Sequence, residues 1–166
     1  EQGESAYFMV AGRNKRCIVA DLKNPDDLTR VRQLALKADV LVENFRIGTL
    51  EKFGLAADDL RKENPGLIVC SISGYGRHSS MAARAGYDFV IQAESGLMSI
   101  IGDEDQEPMK VGAAVTDIVA GQYATQGVLA ALYHRERTGE GQDVDISLLD
   151  GAVTLLSNQS AAYLMT

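Results

Sequence analysis

Hydrophobic and polar positions form blocks that are typical of strands separated by helices. Residues 16–22, 39–43 and 67–73 are short apolar runs rich in β-branched side chains, which predicts three strands. Asn24 and Pro25 are a helix cap and a first helical residue, and a second helical pattern covers residues 48–62. Strands that alternate with helices predict a parallel sheet with right-handed crossovers.

The second half of the chain continues this pattern with longer helices. Residues 89–101 are apolar and predict a helix, and residues 117–134 predict a long helix in which Gly121 and Gly127 permit close packing. Residues 143–148 alternate as in a strand, and a further apolar, helical stretch follows. The sequence therefore predicts an α/β fold, with a Rossmann-like parallel sheet and crossover helices.

Polar or glycine-rich segments lie at the carboxyl ends of the first three predicted strands, at residues 21–23, 44–46 and 74–76. Ligands of parallel sheets bind at the carboxyl ends of the strands, so these segments are candidates for a binding crevice. Ordinary connecting loops have a similar composition, and the pattern alone leaves both interpretations open.

Charge and composition narrow the class of partner. The net charge is −7, which argues against a nucleic-acid-binding protein. Residues 1–50 nevertheless hold 8 basic and 7 acidic residues, so this part could meet an anion. Apolar runs such as residues 128–133 are far shorter than the roughly 20 residues of a membrane span. Cys17 and Cys70 lie far apart, and we interpret both as buried hydrophobic residues in a reducing compartment, with no metal site.

Asp117 is the strongest candidate for chemistry, since it lies at the start of the predicted long helix. The positive end of the helix dipole favours an ionised carboxylate there, which is the state that a carboxylate nucleophile needs. The alternative is that Asp117 only caps or charges the helix start, where aspartate is common.

A series of short motifs runs in order along nearly the whole chain. They occupy residues 14–16, 37–45, 50–54, 64–65, 73–76, 86–88, Asp117 and 135–142. In this order and spacing the chain resembles the family III CoA-transferases.

The resemblance implies an activity and a mechanism. It implies transfer of CoA from an acyl-CoA donor to a carboxylic acid acceptor, with no tightly bound cofactor. Asp117 would be the nucleophile, forming a mixed anhydride and then an aspartyl-CoA thioester. The CoA contacts of the family map onto Ala20, Asp21, Leu22, Lys23, Asn44, Phe45, Arg46, Lys52, Arg84, Ala85, Gly86 and Tyr87. At position 52 the chain has Lys where formyl-CoA transferase has Arg, so a bidentate phosphate contact becomes a point charge.

The resemblance also implies an organisation. Family members are longer, so residues 1–166 would be a fragment of the large CoA-binding domain, without the N-terminal βαβ unit and the C-terminal, small-domain parts. The expected partners are acyl-CoA, a small carboxylic acid and, in an interlocked homodimer, a second copy, with no nucleic acid or membrane. The expected location is the cytoplasm, or the mitochondrial matrix in a eukaryote.

Two other functions stay open at this point. The racemase branch of the family exchanges an α-proton and has His where this chain has Tyr87. A phenol exchanges protons near neutral pH far less readily than an imidazole, so we expect no racemase activity. The other alternative is a non-catalytic CoA-binding or interaction module.

Overall fold

A single parallel sheet organises the chain. The computed structural model describes residues 3, 5–103 and 105–165. Strands β1 (Val40–Glu43), β2 (Ile68–Ser73) and β3 (Asp143–Ser147) lie side by side in the order β1-β2-β3. Both pairs are parallel, with Leu41 beside Val69 and Cys70 beside Val144. The predicted α/β fold with a parallel sheet is therefore confirmed.

Helices connect and cover the strands. In chain order the α-helices are α1 (Ala6–Ala11), α2 (Pro25–Lys37), α3 (Thr49–Lys52), α4 (Ala57–Glu63), α5 (Asp88–Glu94), α6 (Val115–Thr138), α7 (Leu148–Leu156) and α8 (Asn158–Met165). A short 3-10 helix covers Leu97–Ile100. In the part of the chain that the structure describes, no helix combines the length and apolar character needed to cross a bilayer.

The two faces of the sheet are covered by different helices because side chains alternate along each strand. Val69 faces a core that includes Leu60 of α4 and Ala35 of α2. Ile72 packs against a second core that includes Ile91 of α5 and Ala120 of α6. The sheet is thus the middle of three layers.

Close packing of α6 on the sheet depends on one of its two glycines. A Cβ atom added at Gly127 would lie 2.6 Å from Cγ1 of Val144, so only glycine allows this approach. A Cβ atom added at Gly121 would meet no packing partner within 4 Å among the described residues. The prediction of close packing is therefore confirmed for Gly127 and wrong for Gly121.

The start of α2 follows its sequence signals. Oδ1 of Asn24 accepts hydrogen bonds from the backbone N–H groups of Asp26 (2.9 Å) and Asp27 (3.3 Å). Pro25 occupies the first helical position, where its missing N–H group is not needed. The predicted helix start is confirmed.

Several sequence predictions are wrong. Residues 16–22 do not form a strand, because an extended segment becomes one only when it shares hydrogen bonds with a neighbour. Val19 is fully exposed there, and Cys17 is exposed as well, whereas Cys70 is buried as predicted. The predicted helix over residues 48–62 is split into α3 and α4 around Gly54, whose φ is +66°. The helix predicted over residues 89–101 is interrupted at Gly96, whose φ is +83°.

Candidate active site

An open cleft of about 690 Å³ lies at the carboxyl ends of the three strands. The segment after β1, the end of β2, the loop before α5, the first turn of α6 and the first residue after β3 enclose it. Its lining residues are Asn44, Phe45, Arg46, Ile47, Ile72, Ser73, Gly74, Ala82, Ala83, Arg84, Ala85, Gly86, Tyr87, Asp117 and Leu148. Asp117 is the one acidic residue among them.

The cleft brings together most of the site residues predicted from the sequence. Those that line it are Asn44, Phe45, Arg46, Arg84, Ala85, Gly86, Tyr87 and Asp117. Those that do not line it are Ala20, Asp21, Leu22, Lys23 and Lys52. Two separate predicted segments, residues 44–46 and 84–87, therefore share one concave surface with the candidate nucleophile.

The segment that carries Ala20 and Lys23 lies elsewhere because it is not paired into the sheet. Ala20 lines a separate groove of about 370 Å³ between this segment and α2. Asp21 forms the turn that enters the helix: its Oδ1 atom accepts a hydrogen bond from the Lys23 backbone N–H at 2.9 Å. The first of the three predicted strand ends is thus not held at the same edge as the other two.

Two glycines bring the loop before α5 against the end of β2. A Cβ atom added at Gly74 would lie 2.7 Å from Cα of Gly86. A Cβ atom added at Gly86 would lie 2.9 Å from Cε2 of Tyr75 and 3.0 Å from Cα of Gly74. Neither position has room for a side chain, so the glycines let the backbone itself form one wall of the cleft.

Asp117 is the third residue of α6, and its side chain is exposed in the cleft. It accepts no hydrogen bond from any described residue. Although the side chain is exposed, its partial desolvation raises the pKa of Asp117, and repulsion from the Asp88 carboxylate raises it further. The predicted influence of the helix dipole, which favours ionisation, is therefore opposed by the surroundings of the carboxylate.

The alternative role for Asp117 as a helix cap does not fit the geometry. Ala114 precedes the first helical residue, and no side chain of the helix itself caps this end. Asp117 is one of the first-turn residues, so only an electrostatic effect on the helix start remains for it.

Asp88 provides the missing cap from a different helix. Its Oδ1 atom accepts hydrogen bonds from both the backbone N–H and the hydroxyl of Thr116, each at 2.9 Å. Thr116 is fully buried and directly precedes Asp117. The first residue of α5 therefore fixes the first turn of α6 and the backbone that carries the candidate nucleophile.

Gln92 extends this network to the segment before α6. Its side chain is fully buried and donates from Nε2 to Oδ2 of Asp88 at 2.7 Å. Its Oε1 atom accepts a hydrogen bond from the backbone N–H of Val111 at 2.8 Å, and Nε2 lies 3.4 Å from the Ala113 carbonyl oxygen. The approach to α6 is thus attached to α5 at several points.

The two arginines of the cleft differ in their partners. Arg84 forms an ion pair with Glu94, and its guanidinium lies 5.1 Å from the ring centre of Tyr75. The Tyr75 hydroxyl also donates to Oε2 of Glu94 at 2.7 Å; this hydrogen bond is the main reason that the pKa of Glu94 is lowered. Arg46 is exposed and has no ion pair with any described residue. Arg46 is therefore the freer of the two to bind an anion.

Sequence reasoning missed the residues that support the site. Asp88 belongs to the motif at residues 86–88, but this motif does not indicate that Asp88 caps another helix. Gln92 lies four residues later, on the same side of α5, and that spacing is the one local signal of their hydrogen bond.

A parallel sheet with helices on both faces and a cleft at its carboxyl edge is the arrangement in which α/β domains bind ligands. Comparison with known proteins identifies the family. Residues 1–166 match the model of CoA-transferase family III, and the chain belongs to this family.

Relatives and solved structures agree with this assignment. A succinate–glutarate CoA-transferase of Agrobacterium fabrum is 47% identical over 166 residues, which cover 100% of this chain and 42% of that protein. A succinyl-CoA:glutarate CoA-transferase of Mus musculus is 43% identical over 162 residues, or 98% of this chain and 37% of that protein. The crystal structure of a CAIB/BAIF family protein from Brucella suis matches with a TM-score of 0.95 and 43% identity, over 100% of this chain and 44% of that one. The chain thus spans less than half the length of these relatives.

Proposed function

We propose that the whole protein transfers CoA from an acyl-CoA donor to a carboxylic acid acceptor, with Asp117 as the nucleophile. The observation that carries this proposal is the place of Asp117: an exposed carboxylate in the cleft, with no hydrogen-bond donor from the described residues. A carboxylate without such a donor keeps its lone pairs available for attack on a carbonyl carbon.

The proposed reaction proceeds through two kinds of acyl-enzyme. A carboxylate oxygen of Asp117 attacks the thioester carbon of the donor, and the CoA thiolate leaves to give a mixed anhydride. The thiolate then attacks the aspartyl carbonyl carbon, releasing the donor carboxylate and forming an aspartyl-CoA thioester. The acceptor carboxylate attacks the same aspartyl carbonyl carbon and displaces the thiolate, which gives a second mixed anhydride. The thiolate then attacks the acceptor carbonyl carbon of this anhydride, which releases the Asp117 carboxylate and yields the new acyl-CoA.

The cleft offers the contacts that CoA would require. Arg46, which has no ion pair with any described residue, provides a guanidinium for a phosphate group. Phe45 is 48% exposed and Tyr87 is 63% exposed, so both present aromatic surface to the adenine or the pantetheine chain. Ala20, Asp21, Leu22, Lys23 and Lys52 stay candidate contacts through the family resemblance alone.

The names of the relatives suggest which substrates to test first. Both relatives named above are CoA-transferases of succinate and glutarate. We therefore propose succinyl-CoA as the first donor and glutarate as the first acceptor for assay.

We further propose that the protein acts as a homodimer, without a tightly bound cofactor, in the cytoplasm or the mitochondrial matrix. These three proposals rest on the family resemblance alone.

Trapping of the acyl-enzyme tests the mechanism. The whole protein is incubated with succinyl-CoA and hydroxylamine, which converts an aspartyl anhydride or thioester into a hydroxamate. Peptide mass spectrometry is expected to locate the hydroxamate on Asp117, and omission of succinyl-CoA serves as the control. CoA binding without any hydroxamate or turnover would instead identify a non-catalytic binding module.

A further inference from the structure

Glu43 is a buried carboxylate at the end of β1, directly before the segment that lines the cleft. Its side chain is only 5% exposed. The two carboxylate oxygens have different partners: Oε1 accepts from Nη1 of Arg77 at 3.0 Å, and Oε2 accepts from the backbone N–H of Phe45 at 2.8 Å. One side chain therefore joins the loop after β2 to the backbone of the cleft.

Arg77 is itself held by several elements. Its Nη1 atom also donates to the Ser71 hydroxyl at 3.1 Å, and Nη2 donates to Oε1 of Glu51 at 3.0 Å. Its backbone N–H donates to Oδ2 of Asp145 at 2.9 Å. Since these partners belong to β2, α3 and β3, Arg77 is fixed relative to the whole carboxyl edge of the sheet.

We infer that the Glu43–Arg77 pair is a positioning device that sets the affinity of the cleft for acyl-CoA without touching it. Neither residue lines the cleft, whereas Asn44, Phe45 and Arg46 do. Glu43 fixes the Phe45 backbone at the point where the chain leaves β1, and thereby the direction of the Phe45 and Arg46 side chains. This inference rests on the proposed function, in which those side chains bind CoA.

A single substitution prevents Glu43 from keeping both contacts. Glutamine has nearly the same shape but only one acceptor oxygen, so Glu43→Gln cannot accept from both Arg77 and Phe45. Glu51→Gln is the matched control, because Glu51 forms an ion pair with the same guanidinium at the same 3.0 Å distance and has no hydrogen bond to the cleft segment. Both variants remove one negative charge next to Arg77.

The test is acyl-CoA kinetics in the whole protein. Glu43→Gln is expected to raise KM for succinyl-CoA about tenfold and to leave kcat within about twofold, as loss of a charge-assisted hydrogen bond predicts. Glu51→Gln is expected to leave both constants within about twofold. An unchanged KM in Glu43→Gln, or an equal rise in both variants, would overturn the inference.

Hydrogen exchange of the Phe45 amide provides a second measurement that does not depend on how well the variant folds. In the wild-type protein this amide is expected to exchange slowly, because Glu43 accepts its hydrogen bond. Exchange at the rate of an unstructured peptide would contradict the inference directly. If the wild-type protein showed no affinity for CoA at all, the proposed function would fail, whereas normal CoA binding with an insensitive Glu43→Gln would reject only the positioning role.

Discussion

Asp88 accepts two hydrogen bonds from Thr116 through one carboxylate oxygen, from the backbone N–H and from the hydroxyl, each at 2.9 Å. The first N–H groups of an α-helix have no partner within the helix, and α6 has no capping side chain of its own. A carboxylate from α5 therefore completes this helix end. The same carboxylate repels Asp117 and contributes to its raised pKa.

This arrangement predicts a shift in the pH profile of the Asp88→Asn variant. In the proposed mechanism the ionised form of Asp117 is the nucleophile, so activity is expected to fall as the pH drops through its pKa, which lies above that of an ordinary aspartate. Removing the negative charge of Asp88 lowers the pKa of Asp117, so the acid limb of kcat/KM is expected to move to lower pH. Kinetics across the acid range measure this shift.

Glu94→Gln is the control for the pH profile. Glu94 lies on the same helix, and its charge does not contribute to the raised pKa of Asp117. The acid limb of kcat/KM in the Glu94→Gln variant is expected to stay at the wild-type pH. A limb that stays in place in Asp88→Asn, or moves to higher pH, would contradict the assignment of the limb to Asp117.

The Asp117→Asn variant separates a nucleophile from a structural residue. An amide cannot attack a thioester, so turnover is expected to be abolished while CoA affinity stays within about twofold of wild type. A capping residue would cost about 1 kcal/mol of stability in the alanine variant and little in the asparagine variant. Because Ala114 precedes α6 and the Asp117 side chain does not cap this helix, neither variant is expected to lower the melting temperature by a capping loss.

The raised pKa of Asp117 also fixes the sign of the stability effect. A raised pKa means that folding disfavours the ionised form of Asp117. The contribution of Asp117 to the stability of the fold is therefore fully present below the pKa of the unfolded chain and is lost as the pH rises through the folded pKa. Asp117→Asn is therefore expected to be slightly more stable than wild type near neutral pH, and this advantage disappears in acid. Thermal melts of the variant and the wild type at neutral and at acid pH measure this difference in stability.

For the activity test, turnover of Asp117→Asn at the wild-type rate would reject the mechanism.

The sequence predicted the sheet but not all of its boundaries. Strand β2 is recognisable from residues 67–73 alone because a buried parallel strand is apolar on both faces. Residues 16–22 have the same local character and still form no strand. Strand formation depends on a neighbouring backbone, and local composition carries no information about one.

The candidate site was predictable to a similar extent. Asp117 and residues 44–46 could be proposed because their motifs are contiguous in sequence. The contacts between Asp88 and Thr116 and between Glu43 and Arg77 join residues 28 and 34 positions apart. Periodicity describes one element at a time, so hydrogen bonds between elements are visible only in the folded chain.

The two arginines of the cleft are expected to contribute unequally to CoA binding. Arg46 has no ion pair with a described residue, whereas Arg84 is engaged by Glu94 and lies over Tyr75. Arg46→Gln is expected to weaken CoA binding about tenfold, as loss of a charged hydrogen bond predicts. Arg84→Gln, the matched variant, is expected to weaken it by less than about threefold, because Arg84 already has an acidic partner. Calorimetric titration with CoA measures both, and the reverse order would refute the distinction.

Proton exchange at the α-carbon of the acyl group distinguishes racemisation from CoA transfer. Tyr87 lines the cleft and is 63% exposed, at the position where the racemase branch has His. Racemisation needs a base that accepts and returns a proton near neutral pH, which an imidazole does and a phenol does poorly. We therefore expect no incorporation of deuterium into a 2-methylacyl-CoA in heavy water, measured by mass spectrometry of the recovered thioester.

The Tyr87→His variant tests whether the side chain alone limits this reaction, and transfer of CoA to glutarate in the same sample shows that the protein is active. Deuterium incorporation by the wild-type protein at a rate comparable with CoA transfer would assign it to the racemase branch instead.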